Sequence, residues 1–217
     1  MKTVRVLFKK TGRCIYISHL DLTRAMGRAL ARSCLPVWYT EGFHPHLYMT
    51  FALPLSLGTA GMCETMDYRL LDDDFDLDEA TRRLDAALPE GLHAVRTYIP
   101  QMQPKQIMWA DYRIDLRCDY AEAEKAVHAL EALPVVETEK RSKKGMKTVD
   151  IRPMFTVLGI MPQTGGACLY LRCRAGVEIN LNPSLVLDVL EKRFGFSPFG
   201  TFIARIAVKD ENNADFL

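Results

Sequence analysis

The sequence predicts an α+β protein made of two similar units in tandem, and three observations predict it. Short runs with every second residue apolar, the mark of half-buried strands, are interspersed with stretches whose apolar residues recur at helical spacing. The order of these elements in the first half of the chain recurs in the second. Between the halves, Pro100-Gln101-Met102-Gln103-Pro104-Lys105 carries two prolines and no periodicity, which marks a boundary.

Val4, Val6 and Phe8 alternate as a first strand. Ser18-His19-Leu20-Asp21 reads as a helix start, because a serine can cap free N–H groups and an acid three residues on suits the positive helix end. Leu22, Met26, Ala29 and Leu30 then give a buried stripe from about His19 to Ser33, while Arg24, Arg28 and Arg32 stand four apart on another face. Residues 36–39 and 47–51 read as two strands joined by the loop Glu41-Gly42-Phe43-His44-Pro45-His46. Residues 66–70 alternate again. Asp76 then caps a helix whose stripe is Leu77, Ala80, Leu84, Ala87 and Leu88, and residues 93–99 close the set as a strand.

Setting aside one extra strand, this order is β-α-β-β-α-β, the arrangement of a ferredoxin-like unit with two helices on one face of an antiparallel sheet. The second half repeats it. Tyr112, Ile114 and Leu116 alternate as a strand, and Asp119 with Glu122 opens a helix lined by Tyr120, Ala123, Val127, Leu130 and Leu133. Residues 135–139 and 148–151 flank a basic turn as a hairpin, and residues 155–158 and 168–172 continue the sheet around Gly165-Gly166. Asn182-Pro183 starts a helix that Gly195 ends, residues 202–208 close the unit, and the polar tail from Lys209 is expected to be loose. The expected organisation is a first unit over residues 1–100, a linker over 101–109 and a second unit over 110–217.

A chain of 217 residues with 48% hydrophobic and 25% charged residues has the composition of an ordinary soluble protein. No apolar run approaches the roughly 18 residues of a membrane span, and no secretory leader is evident, so a cytoplasmic protein without membrane contact is expected. Six cysteines without C-x-x-C spacing read as reduced thiols. The net charge of +1 conceals an asymmetry: residues 1–60 hold eight Lys or Arg against two acids, and residues 61–100 hold four arginines against ten acids. Separated charge of this kind suits a locally anionic partner such as nucleic acid.

The densest concentration of chemistry runs from Arg13 to Phe51. Arg24, Arg28 and Arg32, one helical turn apart, can each reach a backbone phosphate, with Arg13, Lys9 and Lys10 extending the track. His44 and His46 would touch phosphate or orient their loop. Trp38, Tyr39 and Phe43 could stack unpaired bases, but Trp38 and Tyr39 fall in an expected strand that turns at least one of them to the core, so Tyr39 and Phe43 are the candidates. Lys140, Arg141, Lys143, Lys144 and Lys147 form a second basic finger at the hairpin. No cofactor is expected. As metal ligands, His19, His44 and His46 would still need a fourth group, with Glu41, Asp21 or water available. The absence of G-x-x-x-x-G-K-S/T, G-x-G-x-x-G and G-x-S-x-G stretches argues against an NTPase, a nicotinamide enzyme or an α/β-hydrolase.

Ile17-Ser18-His19-Leu20-Asp21-Leu22, Arg24, Arg28-Ala29-Leu30, Leu35-Pro36, Gly42-Phe43, Pro45-His46 and Phe51-Ala52 resemble a bacterial family of radical-SAM-linked proteins of unknown function. Lys144-Gly145, Lys147, Asp150 and Arg152-Pro153 carry its later signature, so the resemblance covers nearly the whole chain. It implies work beside a radical SAM enzyme. None of the cysteines has the C-x-x-x-C-x-x-C spacing that holds the cluster of such an enzyme, which leaves an accessory role. The expectation is an RNA-binding accessory protein, without catalytic activity of its own, that presents tRNA or rRNA to a radical SAM modifying enzyme. Two alternatives remain open. One is a metal-independent endoribonuclease using His19 as catalytic residue, by analogy with CRISPR repeat-processing enzymes built from two such units. The other is a protein-binding adaptor of the radical SAM enzyme.

Overall fold

The computed structural model describes residues 1–142, 145–176 and 179–217, with the side chains of residues 140–142 and 145–147 outside the description. The protein is α+β and divides into two compact units, Met1–Gln106 together with Phe216–Leu217, and Ile107–Asp215. Among the described residues no helix is long and apolar enough to cross a membrane. No disulfide joins the six cysteines.

The first unit runs β1 (Lys2–Lys10), α1 (His19–Arg32), β2 (Met49–Phe51), β3 (Thr59–Leu70), α2 (Leu77–Ala87) and β4 (Leu92–Tyr98). β1 pairs antiparallel with β3 on one side and β4 on the other, and β2 pairs antiparallel with β3. Alternation along β1 decides where the core lies. Val4, Val6 and Phe8 face one way and pack with Met66, Tyr68 and Leu70 of β3 against Leu22, Met26 and Leu30 of α1 and Leu84 of α2. Both helices begin as their sequences require: the Ser18 hydroxyl accepts from the Asp21 N–H, and the Asp76 carboxylate accepts from the Asp78 and Glu79 N–H groups.

Arg5, between Val4 and Val6, is carried by the same alternation to the opposite sheet face. It is only 1% exposed. Its guanidinium donates to both carboxylate oxygens of Asp67, opposite it on β3, at 2.7 and 2.9 Å, and lies 4.3 Å from the ring centre of Phe216. The tail therefore differs from the loose end expected of it. Phe216 is buried, the Leu217 carbonyl accepts from the Gln101 and Met102 N–H groups, and Lys209 forms an ion pair with Asp215 at 2.8 Å.

Two other readings change. Residues 36–39 form isolated bridges, Val37 to Leu70 and Tyr39 to Leu47, in place of a continuous strand. β3 is far longer than residues 66–70, because Ala60, Gly61 and Cys63 lack the large alternating side chains that reveal a strand in sequence.

The second unit runs β5 (Trp109–Arg117), α3 (Tyr120–Glu131), β6 (Glu137–Ser142), β7 (Gly145–Asp150), β8 (Phe155–Gln163), β9 (Gly166–Arg174), α4 (Ser184–Phe194) and β10 (Gly200–Lys209). β5 pairs antiparallel with β10 and β9, and β9 with β8; β6 and β7 form a hairpin of their own. Gly166 admits no side chain, since a Cβ there would fall 1.8 Å from the Leu116 carbonyl oxygen. Arg172 of β9 donates to both oxygens of Asp111 on β5 at 2.6 and 2.8 Å, and to Asn213 at 2.6 Å.

The segment after β7 ties the hairpin to the end of α3. One Asp150 carboxylate oxygen accepts from the Val136 and Arg152 N–H groups, both at 2.9 Å. Arg152 in turn donates to the carbonyls of Leu133 and Glu131 just beyond and at the end of α3. These backbone hydrogen bonds, from Arg152 first and then Val136, hold the Asp150 carboxyl below its ordinary pKa.

Two outcomes follow for stability. Phe216→Ala removes the cover of a buried guanidinium and is expected to cost about 3 kcal/mol in urea unfolding. An unchanged midpoint would mean that the tail does not hold the first unit. Asp150→Asn is expected to lower the melting temperature near neutral pH. Because the folded-state pKa is depressed, the wild-type advantage is present above about pH 4 and is lost as pH falls through the lower folded value, so the two proteins converge in acid. Melting curves across that range check it.

Candidate functional site

The Arg13–Phe51 segment is distributed over three places in the first unit. On α1, Arg24, Arg28 and Arg32 are all exposed, as the four-residue spacing requires. Their surroundings differ. Arg24 pairs with Asp21 at 3.3 Å, and Arg32 donates to the Ala87 carbonyl at the end of α2 at 2.7 Å. Among the described residues Arg28 has no ion pair or hydrogen-bond partner. The hydrogen bond from Ser18 and the nearby Arg24 hold the Asp21 carboxyl below its usual range, so it remains an anion beside the ridge.

His19, at the first position of α1, is exposed and turns its ring edge-on to Phe51 of β2, with centroids 5.0 Å apart. Among the described residues no hydrogen bond or ion pair joins it to an acid or a second base. His44 and His46 lie in the loop after residue 39, and no group of three potential ligands for a metal forms among the described residues. His46 instead fastens its own loop: its N–H donates to the Thr40 hydroxyl at 3.0 Å, its ring Nδ1 lies 2.9 Å from that hydroxyl, and its carbonyl accepts from the Thr40 N–H at 2.8 Å. At the tip Phe43 is fully exposed, and Tyr39 at the base is 44% exposed.

Arg13 sits apart from the α1 ridge in the short 3-10 turn Gly12–Tyr16, where it lines an open cavity of about 480 Å³ with Glu90 and His93. This turn is held against the start of β4 by the Thr11 N–H on the Gly91 carbonyl at 2.7 Å. Gly91, with φ +89°, is required there, since a Cβ would meet Thr11 O at 2.7 Å.

The sheet face opposite the helices carries a cluster in which Trp38, set aside in the sequence as a strand residue, joins Tyr48 and Arg69, which the sequence did not single out. Trp38 and Tyr48 lie with ring centroids 5.9 Å apart, and the Arg69 guanidinium stands over both, 5.0 Å from the first and 4.2 Å from the second. Arg96 of β4 similarly covers Tyr98, at 4.7 Å. The bridge of Val37 to Leu70 places Trp38 beside Arg69, and its N–H donates to the Arg69 carbonyl at 2.9 Å. The signal available in sequence was the alternation itself: with Val37 in the core, Trp38 must face away from it.

Of the second basic finger, Lys143 and Lys144 lie outside the described residues. Lys140, Arg141 and Lys147 fall on β6 and β7, opposite Lys147, Met146 and Lys140 respectively, and their side chains also lie outside the description.

Thr40→Val should free the His46 amide while leaving the core intact. Its hydrogen exchange is expected to rise about tenfold with no change in melting temperature, given a net hydrogen-bond contribution of about 1 kcal/mol. Unchanged exchange would mean that the loop is held by other contacts.

Residues 3–183 match the family described as "Uncharacterized protein conserved in bacteria (DUF2344)". No curated protein matches the chain. With the match spanning most of the first unit's elements and the second unit through β9, the chain belongs to this bacterial family.

Proposed function

We propose that the protein is an RNA-binding accessory protein that presents an RNA, such as tRNA or rRNA, to a radical SAM modifying enzyme in the cytoplasm. The observation that carries the reading is the exposed row Arg24, Arg28 and Arg32 on α1, opposed by Asp21 alone on that helix. Guanidinium groups one turn apart match successive phosphates, and the two that have partners use exposed contacts that cost little to exchange. The partner enzyme enters through the resemblance carried by Ile17 to Asp21, Gly42-Phe43, Pro45-His46, Asp150 and Arg152-Pro153. The strand order in each unit, with the first strand between the third and fourth, supports two tandem ferredoxin-like units, in which β6 and β7 are an added hairpin.

The adaptor reading has one observation in its favour. Phe43, wholly exposed on a loop fastened by Thr40 and His46, has the form of an anchor for an apolar pocket on a protein partner. The two readings join naturally if the loop meets the enzyme and α1 meets the RNA. The endoribonuclease reading needs a second acid–base group beside His19, and the contact made by its ring is to Phe51.

Replacing Arg24, Arg28 and Arg32 together by Gln is expected to weaken binding of transcribed tRNA at low salt at least about tenfold. It should also flatten the dependence of log affinity on log salt by up to about three phosphate contacts. Equal binding by wild type and the triple variant, measured by fluorescence anisotropy across a salt series, sinks the reading.

A further inference from the structure

We infer that the sheet face of the first unit opposite its helices is a binding site for an unpaired nucleotide, with Trp38, Tyr48 and Arg69 as its stacking platform. The inference rests on the RNA-binding reading and deepens it by assigning a second surface and a single-stranded substrate. Three observations carry it. Arg69 stands over both rings, its guanidinium carbon 5.0 and 4.2 Å from their centres, so a cation and two aromatic rings are gathered in one cluster. Its charge is uncompensated: among the described residues no carboxylate pairs with Arg69, whereas Arg5 on the same face is neutralised by Asp67. The same arrangement recurs two strands away, where Arg96 covers Tyr98 and likewise has no carboxylate partner among the described residues.

An aromatic surface topped by unneutralised cations is complementary to a ligand that is both flat and anionic. A nucleotide is both. Apolar protein segments would not compensate the guanidinium charge, and duplex RNA would keep its bases out of reach of stacking side chains. The pleat explains why these residues share the face. Thr3 opposite Arg69, Arg5 opposite Asp67 and Tyr98, and Leu7 opposite Arg96 alternate with the core positions Val4, Val6 and Phe8. Trp38 and Tyr48, each next to an inward-facing residue, Val37 and Met49, are delivered to the same side.

The test uses the full chain carrying Trp109→Phe, which leaves Trp38 as the remaining one of two tryptophans. It is titrated with a single-stranded adenylate oligomer of about 10 nucleotides, with the same strand in a duplex, and with polyglutamate. The single strand is expected to quench Trp38 emission saturably, the duplex and polyglutamate to do so weakly or not at all. Arg69→Gln and Tyr48→Leu, each checked for an unchanged circular dichroism spectrum, should weaken single-strand binding at least about fivefold. RNA binding seen by anisotropy without any change in Trp38 emission overturns the platform and leaves RNA binding by α1 standing. Equal quenching by polyglutamate overturns it in favour of an acidic protein partner. No binding of tRNA or oligomer by any measure overturns both readings together.

Discussion

The first unit depends on how β1 disposes of Arg5. Val4, Val6 and Phe8 commit one side of the strand to the helices, and the pleat then leaves the guanidinium on the other side in the middle of the sheet. A buried guanidinium is tolerable only with its charge matched and its donors used. Asp67 supplies two parallel hydrogen bonds, and Phe216 closes over the group from the far end of the chain. The arrangement is not complete: Arg5 Nη1 and the Tyr98 hydroxyl are buried beside each other with no further hydrogen-bond partner among the described residues. Burial, more than any other influence, raises the Tyr98 pKa, so the phenol stays neutral beside the cation.

The second unit solves the same problem with the charges exchanged. β5 carries the acid, Asp111, and β9, the third strand of that unit's sheet when the separate β6–β7 hairpin is left out, carries the base, Arg172, joined by the same two-pronged geometry. In both units the pair links the first and third strands, and a residue near the C-terminus, Phe216 in one and Asn213 in the other, touches the arginine. Such a pair contributes less to net stability than to choosing a register, since a slip by one residue would bring each charge against the apolar core.

Several residues that carry the family resemblance turn out to serve construction. Asp150 and Arg152 join the β6–β7 hairpin to the end of α3, Ser18 and Asp21 cap α1, and His46 closes its loop on Thr40. Others, Arg28 and Phe43 above all, project into solvent with no local task among the described residues. The separation matters for function: residues without a structural task are the ones whose exposure calls for a partner.

Helices, caps and the order of elements could be read in the chain because they follow from local rules. Ser18, Asp76 and Asp119 each sit beside the N–H groups they satisfy, and the buried stripe of α1 recurs every three to four residues. The exposure of Arg24, Arg28 and Arg32 followed from the same periodicity. What lay beyond reach were relations between distant residues. Nothing local says that Phe216 belongs over Arg5, that His19 meets Phe51 and not His44 or His46, or that Arg69 comes to rest on Trp38 and Tyr48. The sequence by itself determined which faces are apolar and where helices begin. Only the tertiary structure decided which strands lie side by side, and with them which charges meet a carboxylate and which do not.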